Sequence, residues 1–437
     1  MNGSPGTEYG IVTIRALSSD APRRRAVITG IGVVAPNGQD VDTFWRSIRD
    51  GQSAADWITQ FDTTDCPYKI GAEIRGFDCS WFLDAKKTRR YDKSIKYAII
   101  AAAKAITDSG VDMAALDPDR RGVVEGTTVS GMDSVFKAHL TYVRGDPKDI
   151  NPIHIINAFA GEGSSAIALE LGLEAHAVTL CSGCCSSNDA IGYALRMIQD
   201  DEADVMIAGG ADANVIAPLW ASFATLGVMT RRKENPKGAM RPFDRNRDGF
   251  VLADGAVFLV LEELSHALAR GARIYAELLA HGRSCEAHHV VDLHPEGVGI
   301  VRAMEKAMKK ARLEREEIHY INAHGTATKT NDPIETKAIK TFFGSHARRL
   351  AISSTKPITG HMMGSVAAAE TAICALSLYH EIIPATINLT EPADGCDLDY
   401  VPNVSRPYPI KYALNLSSGF GGKNSCLVLG RYTPHAE

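Results

Sequence analysis

The sequence contains no apolar stretch approaching the length of a membrane span. Residues 1–24 lack the continuous apolar core of a secretory signal and read as a flexible leader. Positive charge is not in excess either. The 47 basic residues face 52 acidic ones, a net charge of −5, which gives no footprint for nucleic acid. The nine cysteines are odd in number and scattered, which argues against a disulfide framework and for a reducing cytoplasm. Glycines cluster near Val33 to Gly38, yet no Gly-x-Gly-x-x-Gly follows the first strand, so no dinucleotide site is expected. Asp244-Arg245-Asn246-Arg247-Asp248-Gly249 opens like a calcium loop. Its twelfth position is Gly255, however, and Phe250-Val251-Leu252 reads as strand, which excludes an EF-hand.

A chain of 437 residues, 45% hydrophobic and 23% charged, is ordinary for a globular protein but too long for one small core. From Ala26 short apolar strands alternate with helical segments. Val27 to Val34, Gly122 to Val124, Ala177 to Leu180 and Val205 to Ala208 read as strands, and Tyr91 to Ala105 as a helix. A second round starts near Ile274 to Leu279, then gives a helix over Gly299 to Ala311 and strands at Tyr320 to Ala323 and Leu350 to Ile352. The pattern predicts an α/β fold of two comparable halves, residues 25–272 and 273–437. No long linker divides them and no residue-level repeat relates them.

One junction carries the strongest chemical signal. The apolar run Ala177 to Leu180, read as a buried strand, stops in Cys181-Ser182-Gly183-Cys184-Cys185-Ser186-Ser187-Asn188, and a helical stripe of Ile191, Leu195 and Ile198 follows. A thiol at a helix N-terminus feels the positive end of the dipole, so Cys184 is expected to have a lowered pKa. The Cys181-x-x-Cys184 spacing could suggest a redox or zinc pair, but no second ligand pair accompanies it. Further polar motifs follow three strands of the second half, where open α/β sheets build their sites. They are His324-Gly325-Thr326-Ala327-Thr328, then Ser353 to Lys356 with Thr359-Gly360-His361 and Glu370, then Ser417-Ser418-Gly419-Phe420-Gly421-Gly422.

Together with Ala203 to Gly210, Arg241-Pro242-Phe243-Asp244 and Asp248 to Val251, these landmarks resemble the elongating β-ketoacyl-carrier-protein synthases of the thiolase superfamily, over about Ala26 to Arg431. Ser417 to Gly422 and Cys396 to Pro402 are especially similar to the catalytic ketosynthase subunits of type II polyketide systems. The resemblance implies a thiolase-like fold of two duplicated halves in five layers, α-β-α-β-α. It implies decarboxylative Claisen condensation of an acyl group on Cys184 with malonyl-carrier protein, making a fatty acid or a polyketide. His324 and His361 then stabilise the enolate, with Lys356 and Glu370 behind them. Backbone amides of Cys184 and Phe420 form the oxyanion site, Phe420 and Gly421 belong to the gate, and Thr326 and Thr328 hold the pantetheine arm.

No cofactor or metal is implied, since substrates arrive on the 4′-phosphopantetheine arm of an acyl carrier protein. Lys86, Arg89 and Arg90, within a basic cluster near a predicted helix start, match positions that dock this carrier. A dimer is expected, with the apolar Ile153 to Phe159 run in its interface. The partner is a second copy or a chain-length-factor-like homologue. Membrane and nucleic-acid partners are not expected.

Several positions depart from the family pattern and bear on acyl preference and gating. Cys185 to Asn188 replace a Thr-Ser-Gly run, Leu416 and Ser418 replace Asn and Phe, and the Cys285 to Val291 loop carries His288 for Tyr. Among rivals, a degradative thiolase needs a second cysteine in the last glycine loop, and Ser417 to Gly422 has none. A starter-type synthase uses Asn where His361 stands. The alternative of another class is a non-condensing chain-length-factor-like partner, a type that loses the nucleophile that Cys184 retains.

Overall fold

A computed structural model describes residues 23–433; the expected leader lies outside them except for Arg23 and Arg24. Ten strands form one mixed sheet system. The first half contributes β1 (Ala26–Val34), β2 (Arg121–Gly126), β3 (His176–Leu180), β4 (Val205–Asp212) and β5 (Gly255–Glu263). The second contributes β6 (Ala276–Cys285), β7 (Tyr320–Asn322), β8 (Ala351–Ser353), β9 (Tyr412–Gly419) and β10 (Lys423–Gly430). The order is β3-β2-β4-β5-β1 in one half and β8-β7-β9-β10-β6 in the other. Counted from its own first strand, each half therefore reads 3-2-4-5-1. The first three strands in each spatial order are mutually parallel and the last two antiparallel. Identical topology without a residue repeat is physically reasonable, because strand order constrains polarity and connection rather than side-chain identity. The halves join where β1 pairs with β6 over Ala26 to Ile28.

Six helices complete the layers: α1 (Lys93–Ser109), α2 (Glu162–Leu171), α3 (Ser186–Gln199), α4 (Val298–Ala311), α5 (Asn331–Phe343) and α6 (Val366–His380). α1 and α2 cover the outer face of the first half, and α4 covers that of the second with α5 beside it. α3 and α6 lie between, each touching strands of both halves. The result is the expected α-β-α-β-α stack.

Local sequence explains this arrangement. β1 and β5 are buried along their whole lengths, as strands covered on both faces must be. α6 is buried all round from Val366 to Leu378, and its Ala367, Ala368, Ala369 and Ala372 let two sheets approach it closely. In β1, a Cβ on Gly32 would sit 1.9 Å from the Ala101 carbonyl oxygen of α1, so only glycine allows that contact. α1 starts at Lys93, where Asp92 caps the Ser94 amide, and ends at Gly110 with φ +65.

Two expectations are corrected. β3 is not a buried strand: it is the sheet edge, and its residues stay partly or well exposed. Phe250 to Leu252 form isolated bridges, to Met229 and His361, rather than a continuous strand. Asp244, the first residue of the apparent calcium loop, instead accepts the Thr390 and Glu391 amides.

Candidate active site

β3 delivers the chain into a turn in which Gly183 has φ +68, and α3 begins at Ser186. The three cysteines of this turn part company. Cys181 is exposed. Cys185 points its Sγ at the carbonyls of Ser417 (3.2 Å) and Lys423 (3.4 Å) in the opposite half. Cys184, 5% exposed, faces the two histidines, with its Sγ 3.4 Å from His361 Nε2.

The lowered pKa expected for this thiol is not what the site produces. Burial pushes Cys184 up to about 12, opposed by the charge of Lys356. The helix begins two residues further on and the thiol is buried, so desolvation outweighs the dipole. Below its pKa the thiolate fraction grows tenfold per pH unit. Alkylation of Cys184 by iodoacetamide, followed by mass spectrometry, is thus expected to accelerate about tenfold per unit from about pH 6 to about pH 9. A rate that levels off below about pH 8 would show that the dipole prevails.

His324 follows β7 and His361 follows the short helix Lys356–Thr359 after β8. Their rings lie 5.7 Å apart and edge-on, and both are buried. The hydrogen-bond network assigns their tautomers. His361 Nδ1 accepts the Met363 amide at 3.2 Å, and His324 Nδ1 faces the Lys356 ammonium at 3.4 Å. An ammonium only donates, so each ring carries its hydrogen on Nε2, toward Cys184. Burial, followed by the charge of Lys356, pushes both imidazoles well below their usual pKa, and they are neutral. Ligand atoms of Cys184, His324 and His361 all lie within 4.8 Å of one another, a spacing that suits a metal. The donors behind the rings do not fit one, because metal coordination through Nε2 needs the opposite tautomer.

Lys356 is buried and donates to the His324 carbonyl and, at 2.5 Å, to Glu370 Oε1 of α6. Burial pushes the Glu370 carboxyl up to about 7 while Lys356 pulls it back. Two further buried carboxylates shape the site and were not foreseen. Glu335, in α5, accepts the amides of His324 (2.7 Å) and Gly325 (2.8 Å). Asp212, at the end of β4, accepts the Thr127 hydroxyl (2.6 Å) and the Gly364 amide (2.7 Å), tying a loop of the first half to the segment after His361. A charge at the end of an apolar strand, and acids in the first turns of a helix after a motif, are the only signals that could have found them.

Cys184, His324, His361, Thr326, Thr328 and Phe420 all line one cavity. The Thr326 and Thr328 hydroxyls are 3.0 Å apart. The backbone at Gly419-Phe420 lies against that at Gly183-Cys184: a Cβ on Gly419 would sit 3.1 Å from the Cys184 amide nitrogen, and one on Gly183 3.9 Å from that of Phe420. The Gly421 amide donates to the Val290 carbonyl at 2.7 Å. It thereby fastens the Cys285 to Val291 loop to the glycine turn.

The basic cluster divides by pairing. Lys87 pairs with Glu170 (2.7 Å) and Lys93 with Asp254 (2.7 Å), whereas Lys86, Arg89 and Arg90 are exposed on or beside the short helix Ala85–Arg90. This helix is separate from α1, broken at Tyr91. Ile153–Asn157 is a short helix, and Ile155 within it and Phe159 just beyond it are more than half exposed.

Known proteins resemble this chain over most of its length. The family model described as beta-ketoacyl synthase, N-terminal domain, covers residues 23–267, and its C-terminal counterpart covers residues 275–390. The 3-oxoacyl-[acyl-carrier-protein] synthase 2 of Coxiella burnetii is 40% identical, spanning 94% of this chain and 99% of that protein. A Streptomyces halstedii protein bearing the name polyketide beta-ketoacyl synthase 1 is 38% identical, over 93% of this chain and 98% of that protein. Among solved structures, a chain of the ishigamide ketosynthase/chain length factor is 35% identical with a TM-score of 0.89, covering 94% of this chain and all of that one. A chain from a type II polyketide acyl-carrier protein in complex with its ketosynthase is 32% identical, with a TM-score of 0.87 and the same coverage. With both halves matched and the relatives aligned nearly end to end, the chain belongs to the beta-ketoacyl synthase family.

Proposed function

We propose that the protein elongates an acyl chain by decarboxylative Claisen condensation, with Cys184 as nucleophile and His324 and His361 as enolate stabilisers. The observation that carries this is the convergence of one thiol and two neutral Nε2–H donors on a single cavity. In the first step the Cys184 sulfur forms a bond to the acyl carbon and the carrier's C–S bond breaks. The Cys184 proton ends on the departing pantetheine sulfur, so a thiol of high pKa needs no permanent thiolate. In the second step malonyl loses carbon dioxide, and the released electron pair becomes an enolate whose oxygen receives the His324 and His361 Nε2–H groups. The enolate carbon attacks the acyl-cysteine. Amides of Cys184 and Phe420 hold the resulting oxyanion, and its collapse expels the cysteine sulfur, which takes one proton from solvent.

Lys356 keeps the His324 ring in its donor tautomer, while Thr326 and Thr328 line the route of the pantetheine arm. No bound cofactor is required by these steps. The test is incubation with acyl- and malonyl-loaded carrier protein: a β-ketoacyl product and an acyl mass on the Cys184 peptide are expected, and labelling confined to Cys181 or Cys185 would refute the assignment.

The partner is an acidic acyl carrier protein docking at Lys86, Arg89 and Arg90, in keeping with a cytoplasmic, carrier-dependent pathway. These three cations face solvent while Lys87 and Lys93 are paired. Reversing Arg89 and Arg90 to Glu is expected to weaken carrier binding and flatten its salt dependence, while reaction with short free thioesters is unchanged. Equal losses with both substrates would mean that the patch serves folding.

Dimerisation is supported by the edge strand β3, which presents open hydrogen-bonding groups, and by the exposed apolar side chains of Ile155 and Phe159. The solved relatives include a pair described as ketosynthase and chain length factor, so the second subunit is a copy of this chain or such a homologue. Sedimentation decides: a fully active monomer refutes the dimer, and homodimers that condense unaided need no homologue. Among the described residues no helix is long and apolar enough to cross a membrane.

A further inference from the structure

Four polar side chains that the proposed mechanism does not use meet between the two halves, behind the nucleophile turn. Asp189, buried in the first turn of α3, accepts the Ser182 hydroxyl on Oδ2 at 2.8 Å. On Oδ1 it accepts the Ser425 hydroxyl at 2.9 Å and the His281 Nε2–H at 3.1 Å. His281 Nε2 and Ser425 Oγ are themselves 2.9 Å apart. Ser182 and Asp189 belong to the first half, whereas His281 in β6 and Ser425 in β10 belong to the second. Gly192 of α3 makes the crossing possible, because a Cβ there would lie 2.1 Å from His281 Nδ1. Burial opposes a charge on Asp189, but the hydrogen bonds from His281, Ser182 and Ser425 outweigh it and hold the carboxyl below its usual range.

We propose that His281 and Asp189 are positioning residues for acyl transfer, setting Cys184 by anchoring Ser182. Ser182 and Cys184 flank Gly183, whose left-handed φ allows the turn and gives it no side-chain bracing. The other side-chain ties on this turn come from neutral groups: the Ser182 amide donates to Ser186 Oγ at 2.9 Å, the Ser186 and Thr128 hydroxyls donate to the Gly183 carbonyl at 2.6 and 3.2 Å, and the Ser417 hydroxyl donates to the Cys184 carbonyl at 2.9 Å. Only the Ser182 contact is assisted by a full charge, and such bonds are about twice as strong as neutral ones. His281 keeps that charge in place. Without it, a buried carboxylate loses its imidazole donor and its remaining hydroxyl contacts rearrange around the unmet acceptor.

The effect is confined to the nucleophile. His324 and His361 are held by Lys356, Glu335 and the Met363 amide, none of which hydrogen-bonds to the four residues. Anchoring therefore governs where Sγ and the Cys184 amide meet the thioester, and not the donors that meet the enolate.

This inference rests on acyl transfer to Cys184, so both half-reactions are measured in the same preparations. Acylation is followed by intact mass with a short acyl-pantetheine thioester, and decarboxylation by carbon dioxide release from malonyl-pantetheine. In His281→Phe, acylation is expected to slow about ten- to hundredfold, the scale of a small misplacement of a reacting group, with carbon dioxide release nearly unchanged. His281→Gln, whose amide nitrogen can replace the Nε2–H donor, is expected to restore most of the acylation rate. Ser182→Ala removes the anchored hydroxyl with little change of volume and should reproduce the selective loss, and it carries the test if His281→Phe does not fold. Normal acylation in Ser182→Ala overturns the proposal, as does an equal fall in both half-reactions or a His281→Gln variant no better than His281→Phe. Wild-type protein that never acylates would instead overturn the nucleophile assignment on which the proposal stands.

Discussion

Cys184→Ala is expected to abolish condensation, with a loss of at least about four decades, the scale for deleting the nucleophile of a covalent mechanism. No neighbour can take over. Cys185 is turned toward the Ser417 and Lys423 carbonyls, and Cys181 is exposed outside the cavity. Carbon dioxide release from malonyl-carrier protein should persist in the same variant, because both imidazoles are held from behind, by Lys356 and by the Met363 amide. Paired measurements of product and carbon dioxide separate the two steps. Loss of both together would show that the thiol is needed for decarboxylation as well. Retained condensation would remove Cys184 from the mechanism.

His324→Ala and His361→Ala are each expected to lower carbon dioxide release by about two to three decades, the effect of deleting one preorganised oxyanion donor. The two variants should differ in the other half-reaction. His361 Nε2 also lies 3.4 Å from Cys184 Sγ, so its removal should slow acylation more than removal of His324. The sign of the pH dependence follows from the environment. Burial, followed by the charge of Lys356, pushes both imidazoles well below their usual value, so they stay neutral where an ordinary histidine takes up its proton. Carbon dioxide release should therefore stay flat from about pH 8 down to about pH 6, across the range where an ordinary histidine titrates. A fall centred near pH 6.5, the ordinary value for histidine, would mean that a ring titrates unshifted. Unchanged release in both alanine variants would remove the histidines from the step.

The positions of Cys184, His324 and His361 after strands were legible in the sequence, because an apolar run followed by small and polar residues marks the end of a strand, whether buried or at an edge. So was the duplication, which showed in the alternation of elements even though no residues repeat. The exposure of β3 was not legible. Ala177 to Leu180 is apolar in either setting, and whether a strand lies inside a sheet or at its edge depends on which strands pair beside it. Tautomers were out of reach for the same reason: the Met363 amide is two residues from His361, but the Lys356 ammonium reaches His324 from across a separate strand connection.

The sequence by itself determined which polar side chains follow the strands and the order of the elements that bear them, since both depend on residue type and local periodicity. Tertiary structure alone decided the state of those side chains. The dipole argument for Cys184 considered one helix end, whereas the thiol's proton affinity is set by how much water the surrounding segments exclude, and those segments come from both halves. Likewise Glu335, Asp212, Asp189 and His281 carry no local motif, and their roles arise only when distant segments fold together. Desolvation and hydrogen bonding are pairwise and cumulative in space, and the linear chain does not record which groups will share a dry interior.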